Sequence, residues 1–228
     1  MRKDIPILSL VILVSISFLI ISFFIGLLSG IFDLPDTITM SFGMDVIEGV
    51  IYISLLYYIM KKLFDENIFD LFNNNWRVSK ILLIGTISIF FVLVIEYFTD
   101  PIAKTLPHFK IFDEIYLEML QLPKNYYELV IQVTSVTIIT AIVEELFFRG
   151  FLYKTLRKKY NVSISVLILT AIFILFHLNP QILIFIIVAN IILCLSFEYS
   201  KSLSLPIFIH TGINAATLFV VLSDKIKS

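Results

Sequence analysis

The stretch IPILSLVILVSISFLIISFFIGLLSGI, residues 5–31, decides the class of this chain, because it runs its whole length without a charge. A helix rises 1.5 Å per residue, so about 20 apolar residues cross the hydrocarbon of a bilayer. The run is too long for the apolar part of a secretion signal, and no small-residue cleavage site clearly follows it. It reads as a membrane span. Six further runs match it: Phe42–Met60, Val78–Phe98, Tyr127–Gly150, Val162–Leu178, Gln181–Phe197 and Leu203–Leu222. None alternates with the period of two that a barrel strand requires, so helices are left to satisfy the backbone in lipid. The expected fold is an all-α, polytopic membrane helix bundle of seven transmembrane helices, or eight if a re-entrant segment is added.

Composition agrees. Of the 228 residues 59% are hydrophobic and 15% charged, with a mean hydropathy of +0.98; soluble proteins carry about 25% charged residues. A net charge of −1 gives no reason to expect a nucleic-acid partner. The single cysteine, Cys194, excludes an internal disulfide and a paired-cysteine zinc or redox site. The partner that composition implies is the lipid bilayer.

Basic residues set the orientation. Arg2 and Lys3, Lys61, Lys62, Arg77 and Lys80, Arg149, Lys154, Arg157, Lys158 and Lys159, and Lys201 fall on one side of a seven-span arrangement. That side is expected to be the cytoplasm of a multi-pass cell-membrane protein, with the N-terminus inside. Lys225 and Lys227 run against the trend, and an eighth or re-entrant segment would remove the conflict. Leu63–Trp76 and Phe109–Leu122 mix apolar and acidic residues at helical spacing and read as helices lying on the surface. Residues 1–125 are expected to form N-terminal spans and surface loops, and residues 126–222 a functional core within one structural unit.

Polar side chains inside a span are functional candidates by default. The densest group is Val143-Glu144-Glu145-Leu146-Phe147-Phe148-Arg149-Gly150. Glu145 and Arg149 are four apart with the acid first, the favourable order for an ion pair on one helix face. Glu144 is turned roughly 100° away, free to act as a general base. Alone, the pattern could equally mark the end of a helix facing basic cytoplasm. His177 follows Phe173 by four residues near the end of the fifth run, and His210 precedes Asn214 by four in the seventh. Each alone is better explained by hydrogen bonding between helices.

Depth joins them. Around a turn at Tyr160–Asn161, Glu144 lies 16 residues before (160 less 144) and His177 16 after (177 less 161). Both are then about 24 Å along antiparallel helices, near ~15 Å deep once the protruding basic turns are subtracted. His210 and Asn214 fall roughly 11 to 17 Å into a helix starting near Leu203. Asp45, Glu48 and Glu198 lie nearer span ends, where snorkelling explains most such residues. Asn190 is mid-span but neutral and reads as packing between helices.

Together, Glu144-Glu145-x-x-x-Arg149, Phe173-x-x-x-His177 and His210-x-x-x-Asn214 resemble the CPBP family, the CAAX prenyl proteases and bacteriocin-processing or immunity proteins also called the Abi family. The resemblance spans roughly residues 126–222. It implies a peptide or membrane-protein substrate and a membrane-embedded peptidase site in which Glu144 and His177 activate water. His210 and Asn214 would stabilise the oxyanion, or assist Glu144 through a metal. Glu145 and Arg149 would orient the site or hold the substrate backbone or carboxylate. A zinc ion on Glu144, His177 and His210 and a metal-free glutamate–histidine mechanism both fit these residues.

Two other functions compete with a (metallo)endopeptidase of membrane-associated peptides. One is a bacteriocin self-immunity or scaffold protein that does not cut; the other is a small-solute transporter, against which the lack of an inverted repeat and the seven glycines count.

Overall fold

The computed structural model describes residues 6–32, 37–73, 76–103, 122–177 and 182–227, and among them it contains helices and no strand. The chain is an all-α membrane bundle. Among the described residues seven helices carry it: α1 (Ile7–Ile31), α2 (Ile38–Phe64), α3 (Val78–Ala103), α4 (Tyr126–Leu156), α5 (Val162–His177), α6 (Leu183–Ser200) and α7 (Ser204–Lys227). Six are long and apolar enough to cross a membrane, and α5 is a shorter apolar helix of 16 residues. The surface helix expected over Phe109–Leu122 falls, except for Leu122, outside the described residues.

Local signals set several ends. Thr37 caps α2 by accepting from the Met40 amide at 3.2 Å, and Asn161 caps α5 by accepting from Ile164 at 2.9 Å. Asp65 stops α2 by taking a left-handed conformation, φ 55°. The second surface segment, Leu63–Trp76, differs from the expectation. Its first residues are the end of α2, and a short 3-10 turn, Ile68–Phe72, follows. That turn buries Ile68 and Leu71 in the core, and the Leu71 carbonyl accepts from the Leu203 amide at 2.8 Å. Ile68 and Leu71 therefore close one end of the bundle, while Phe69 and Phe72 stay exposed.

The packing is inside-out relative to a water-soluble protein. Leu13, Phe23, Phe90, Leu167 and Phe219 point outward, while Glu145, Arg149, Asn190 and Ser165 are fully buried. Exposed apolar surface on this scale suits lipid, and polar groups withdrawn from lipid must find each other. α7 lies among α3, α4 and α6, and α2 runs along α4. The α3–α7 crossing is especially close. A Cβ on Gly85 would meet Phe208 at 2.3 Å, and one on Gly212 would meet Ile89 at 2.3 Å. Each glycine is thus a notch for a side chain of the other helix, and the pair fixes how α7 is rotated.

α4 is not a regular α-helix. Thr134–Ile139 and Leu146–Tyr153 are wound as π-helix, on either side of the α-helical segment Thr140–Glu145. Such stretches widen the turn and frequently mark functional positions.

At the end of the bundle where α4 meets α5, ion pairs tie the elements together. Glu66 binds Lys154 at 2.8 Å and Lys158 at 2.9 Å. Glu198 binds Arg157 at 3.1 Å, Lys201 at 2.5 Å and the Tyr153 hydroxyl at 3.0 Å. Burial pushes the Glu66 carboxyl up, but the two lysines outweigh it and hold it below its ordinary range.

Candidate active site

Glu144 and Glu145 stand where the α-helical segment of α4 gives way to its second π stretch. Adjacent residues on a helix point in different directions, and here the two carboxylates have different surroundings. Glu145 is completely buried. Its Oε1 accepts from Arg149 Nη1 at 2.9 Å and from His210 Nδ1 at 2.7 Å. Glu144 is 27% exposed, and its Oε2 has no hydrogen-bond partner among the described residues. The nearest base is His210, whose Nε2 lies 3.8 Å away, beyond hydrogen-bond reach.

His177 ends α5. Its Nδ1 lies 2.9 Å from the Phe173 carbonyl, and its ring leans on that of Phe173 with centroids 4.3 Å apart. A carbonyl only accepts, so Nδ1 carries the proton and the neutral ring keeps a lone pair on Nε2. The same logic puts a proton on His210 Nδ1, facing Glu145. Asn214 donates from Nδ2 to the Val136 carbonyl at 3.1 Å, within the first π stretch of α4. An amide nitrogen has two hydrogens, so one N–H of Asn214 is left over.

Glu144, His177, His210 and Asn214 line one cavity of about 260 Å³ between α4, α5, α6 and α7, otherwise walled mainly by aliphatic and aromatic residues such as Phe185, Ile186 and Leu193. A second cavity, about 280 Å³, lies between α1, α2, α4 and α5 and shares Thr140, Glu144 and His177 with the first. Phe18 stacks on Tyr52 and on Phe147, each at 4.0 Å, along this second cavity. Glu144 and His177 therefore stand at the junction of the two. Glu145 and Arg149 line neither and sit behind the site, which suits orienting other groups rather than touching a substrate.

Two acids that read as snorkelling residues border the second cavity while staying at least partly exposed. Asp45 accepts from Ser135 and Glu48 from Ser22, and both line the second cavity. Their closeness to a span end was visible in the sequence; the serines they meet were not. Asn190 packs between helices as expected, but its partners, Arg149 on α4 and Thr170 on α5, were not legible, since nothing in a lone mid-span amide names its partner.

Zinc would need three converging donors. Among the described residues, no three His, Cys, Asp or Glu side chains are grouped as a metal-ion ligand set. Glu144, His177 and His210 do not close one here, and the chemistry below uses the chain's own groups.

Residues 126–216 match the family model described as type II CAAX prenyl endopeptidase Rce1-like. No curated protein and no solved structure matches the chain. The description of that model attributes CAAX-type endopeptidase activity to the family the stretch is similar to. The stretch that supplies Glu144, Glu145, Arg149, His177, His210 and Asn214 is thus similar to the Rce1-like family, in agreement with the CPBP resemblance of the three motifs.

Proposed function

We propose that this protein is an intramembrane endopeptidase that hydrolyses peptide bonds of membrane-associated peptides or proteins with water activated by Glu144 and His177. One observation carries the reading. Of two adjacent carboxylates, Glu145 is bound by Arg149 and His210, while Glu144 has an unpaired oxygen and faces both cavities together with His177.

A peptide lying across the junction brings its carbonyl carbon to water held between Glu144 and His177 Nε2. As the water oxygen bonds to carbon, one water proton passes to Glu144. Negative charge gathers on the carbonyl oxygen. The spare N–H of Asn214 stabilises it, and His210, held by Glu145, keeps its Nε2 3.8 Å from the Glu144 carboxylate that takes up the proton. The tetrahedral centre then collapses, the C–N bond breaks, and the proton on Glu144 moves to the leaving amine. Bilayer and aliphatic walls keep bulk water low, which strengthens each of these interactions.

The basic residues Lys154, Arg157, Lys158 and Lys201 gather at one end of the bundle through Glu66 and Glu198. The first turns of α1 belong to that end, because α1 packs against Lys154–Leu156. We assign that end, and with it the N-terminus, to the cytoplasm.

The test is peptidomics of cells carrying the wild type or Glu144→Ala, followed by turnover of the identified peptide in bilayer nanodiscs. Glu144→Ala and His177→Ala are expected to lower turnover about 10²–10⁴-fold at unchanged membrane abundance. Equal phenotypes for wild type and variants would overturn the reading in favour of a non-proteolytic immunity or scaffold role. Chelation and zinc add-back in the same assay decide whether a metal shares the site.

A further inference from the structure

The geometry points to Asn190, supported by Thr170, as a positioning residue that keeps His210 correctly aimed at the reaction site. The inference rests on the peptidase reading. Asn190 lies on α6 and is fully buried. Its Oδ1 accepts from Arg149 Nη2 at 2.6 Å, and its Nδ2 donates to Thr170 Oγ1, on α5, at 2.7 Å. Arg149 only donates, so the amide has one permitted orientation: oxygen to the guanidinium, nitrogen to the threonine. Arg149 in turn donates to Glu145, and Glu145 accepts from His210 on α7. A single hydrogen-bonded chain, Thr170–Asn190–Arg149–Glu145–His210, therefore joins α4, α5, α6 and α7 at the depth of the site. Every link has a fixed donor and acceptor.

The chain does more than satisfy buried groups. Arg149 is fully buried, and its Nε has no partner among the described residues. The same holds for Glu145 Oε2. A free guanidinium beside a carboxylate prefers two parallel bonds, one to each oxygen. Arg149 instead makes one bond to Oε1, because Asn190 holds its other arm. Without the Asn190 side chain only the long 3.4 Å contact to the residue-190 carbonyl restrains that arm, and the guanidinium can swing onto both oxygens of Glu145. It then competes with His210 for Oε1, and the imidazole loses the contact that fixes its tautomer and direction. Thr170 keeps the Asn190 amide from flipping.

Asn190→Leu is close to isosteric and removes both bonds, whereas Asn190→Asp keeps an acceptor for Arg149. Turnover of the peptide found above is measured in nanodiscs for Asn190→Leu, Asn190→Asp, Thr170→Val, Thr170→Ser and Arg149→Ala/Asn190→Leu. Asn190→Leu is expected to lower kcat about tenfold or more, toward the ~100-fold that a 1 Å misplacement can cost, with KM within about twofold. Asn190→Asp should recover much of that loss, and Thr170→Ser what Thr170→Val loses. Since Asn190 acts through Arg149, the double variant should be no slower than Arg149→Ala alone. An unchanged kcat for Asn190→Leu, a loss confined to KM, or additive losses in the double variant overturn the inference.

A readout independent of turnover is the ring ¹⁵N spectrum of histidine-labelled protein in bilayers, which contains three histidines. His210 should hold its proton on Nδ1 in the wild type and show mixed tautomers in Asn190→Leu. One tautomer in both overturns the inference. If Glu144→Ala still turns the peptide over, the peptidase reading fails, and this spectrum still decides the role of Asn190.

Discussion

Replacing Gly85 by alanine is expected to displace the helix that carries His210. The new Cβ would stand 2.3 Å from Phe208 Cδ1 and 2.6 Å from Cε1, where ordinary contact begins at 3.4 Å. The gap to be made up is about 1.1 Å, the difference between 3.4 and 2.3 Å. A phenyl ring is rigid, and this one is wedged between two helices, so part of the movement passes to α7. Overpacking of this kind costs about 1–3 kcal/mol. The functional cost is larger in proportion: Phe208 is two residues from His210, and a 1 Å misplacement can lower a rate about 10²-fold. Both quantities can be measured on the purified protein in nanodiscs, turnover directly and stability by thermal unfolding followed at Trp76. A second substitution, Phe208→Val, removes the ring and should return much of both losses in the Gly85→Ala background. Full turnover and an unshifted unfolding temperature for Gly85→Ala would refute the argument. So would a double variant no better than the single one.

Arg149→Ala leaves Glu145 buried with His210 as its remaining side-chain partner, and should destabilise the protein by about 3–5 kcal/mol; a chemical unfolding shift near zero would contradict the burial described here. Glu66 has a depressed folded pKa, so its stabilising effect is present above its ordinary value of 4.5 and is lost as pH falls through the lower folded value. Glu66→Gln should therefore lower the unfolding temperature by a constant amount from neutral pH down to about pH 5, and the difference should close in more acid solution. A difference that persisted or grew in acid would mean that Lys154 and Lys158 do not hold the carboxylate.

The spans were legible because lipid demands long uncharged runs, and residues 5–31 could be nothing shorter. That Glu144 and His177 share a cavity was legible because each lies 16 residues from the turn between α4 and α5. The two π stretches were not legible: no residue pattern distinguishes Leu146–Tyr153 from α-helix, so angles reckoned at 100° per residue lose their meaning there. Glu145 could be paired with Arg149 from spacing alone, but His210 as its second partner required the packing of α7. Asn190 gave no signal because an amide can serve any neighbour. Asp45 and Glu48 gave a misleading one, since closeness to a span end does not tell whether a side chain turns to water or to a cavity. Asp65 broke the expected surface helix by adopting a left-handed turn that aspartate tolerates better than most residues.

The meeting of two cavities at one pair of side chains has a consequence for inhibition. Each cavity has its own walls, but both reach Glu144 and His177. A small apolar molecule lodged in either one therefore crowds the same two groups. Compounds shaped for different walls should exclude one another, and either should stop turnover whichever cavity the peptide enters.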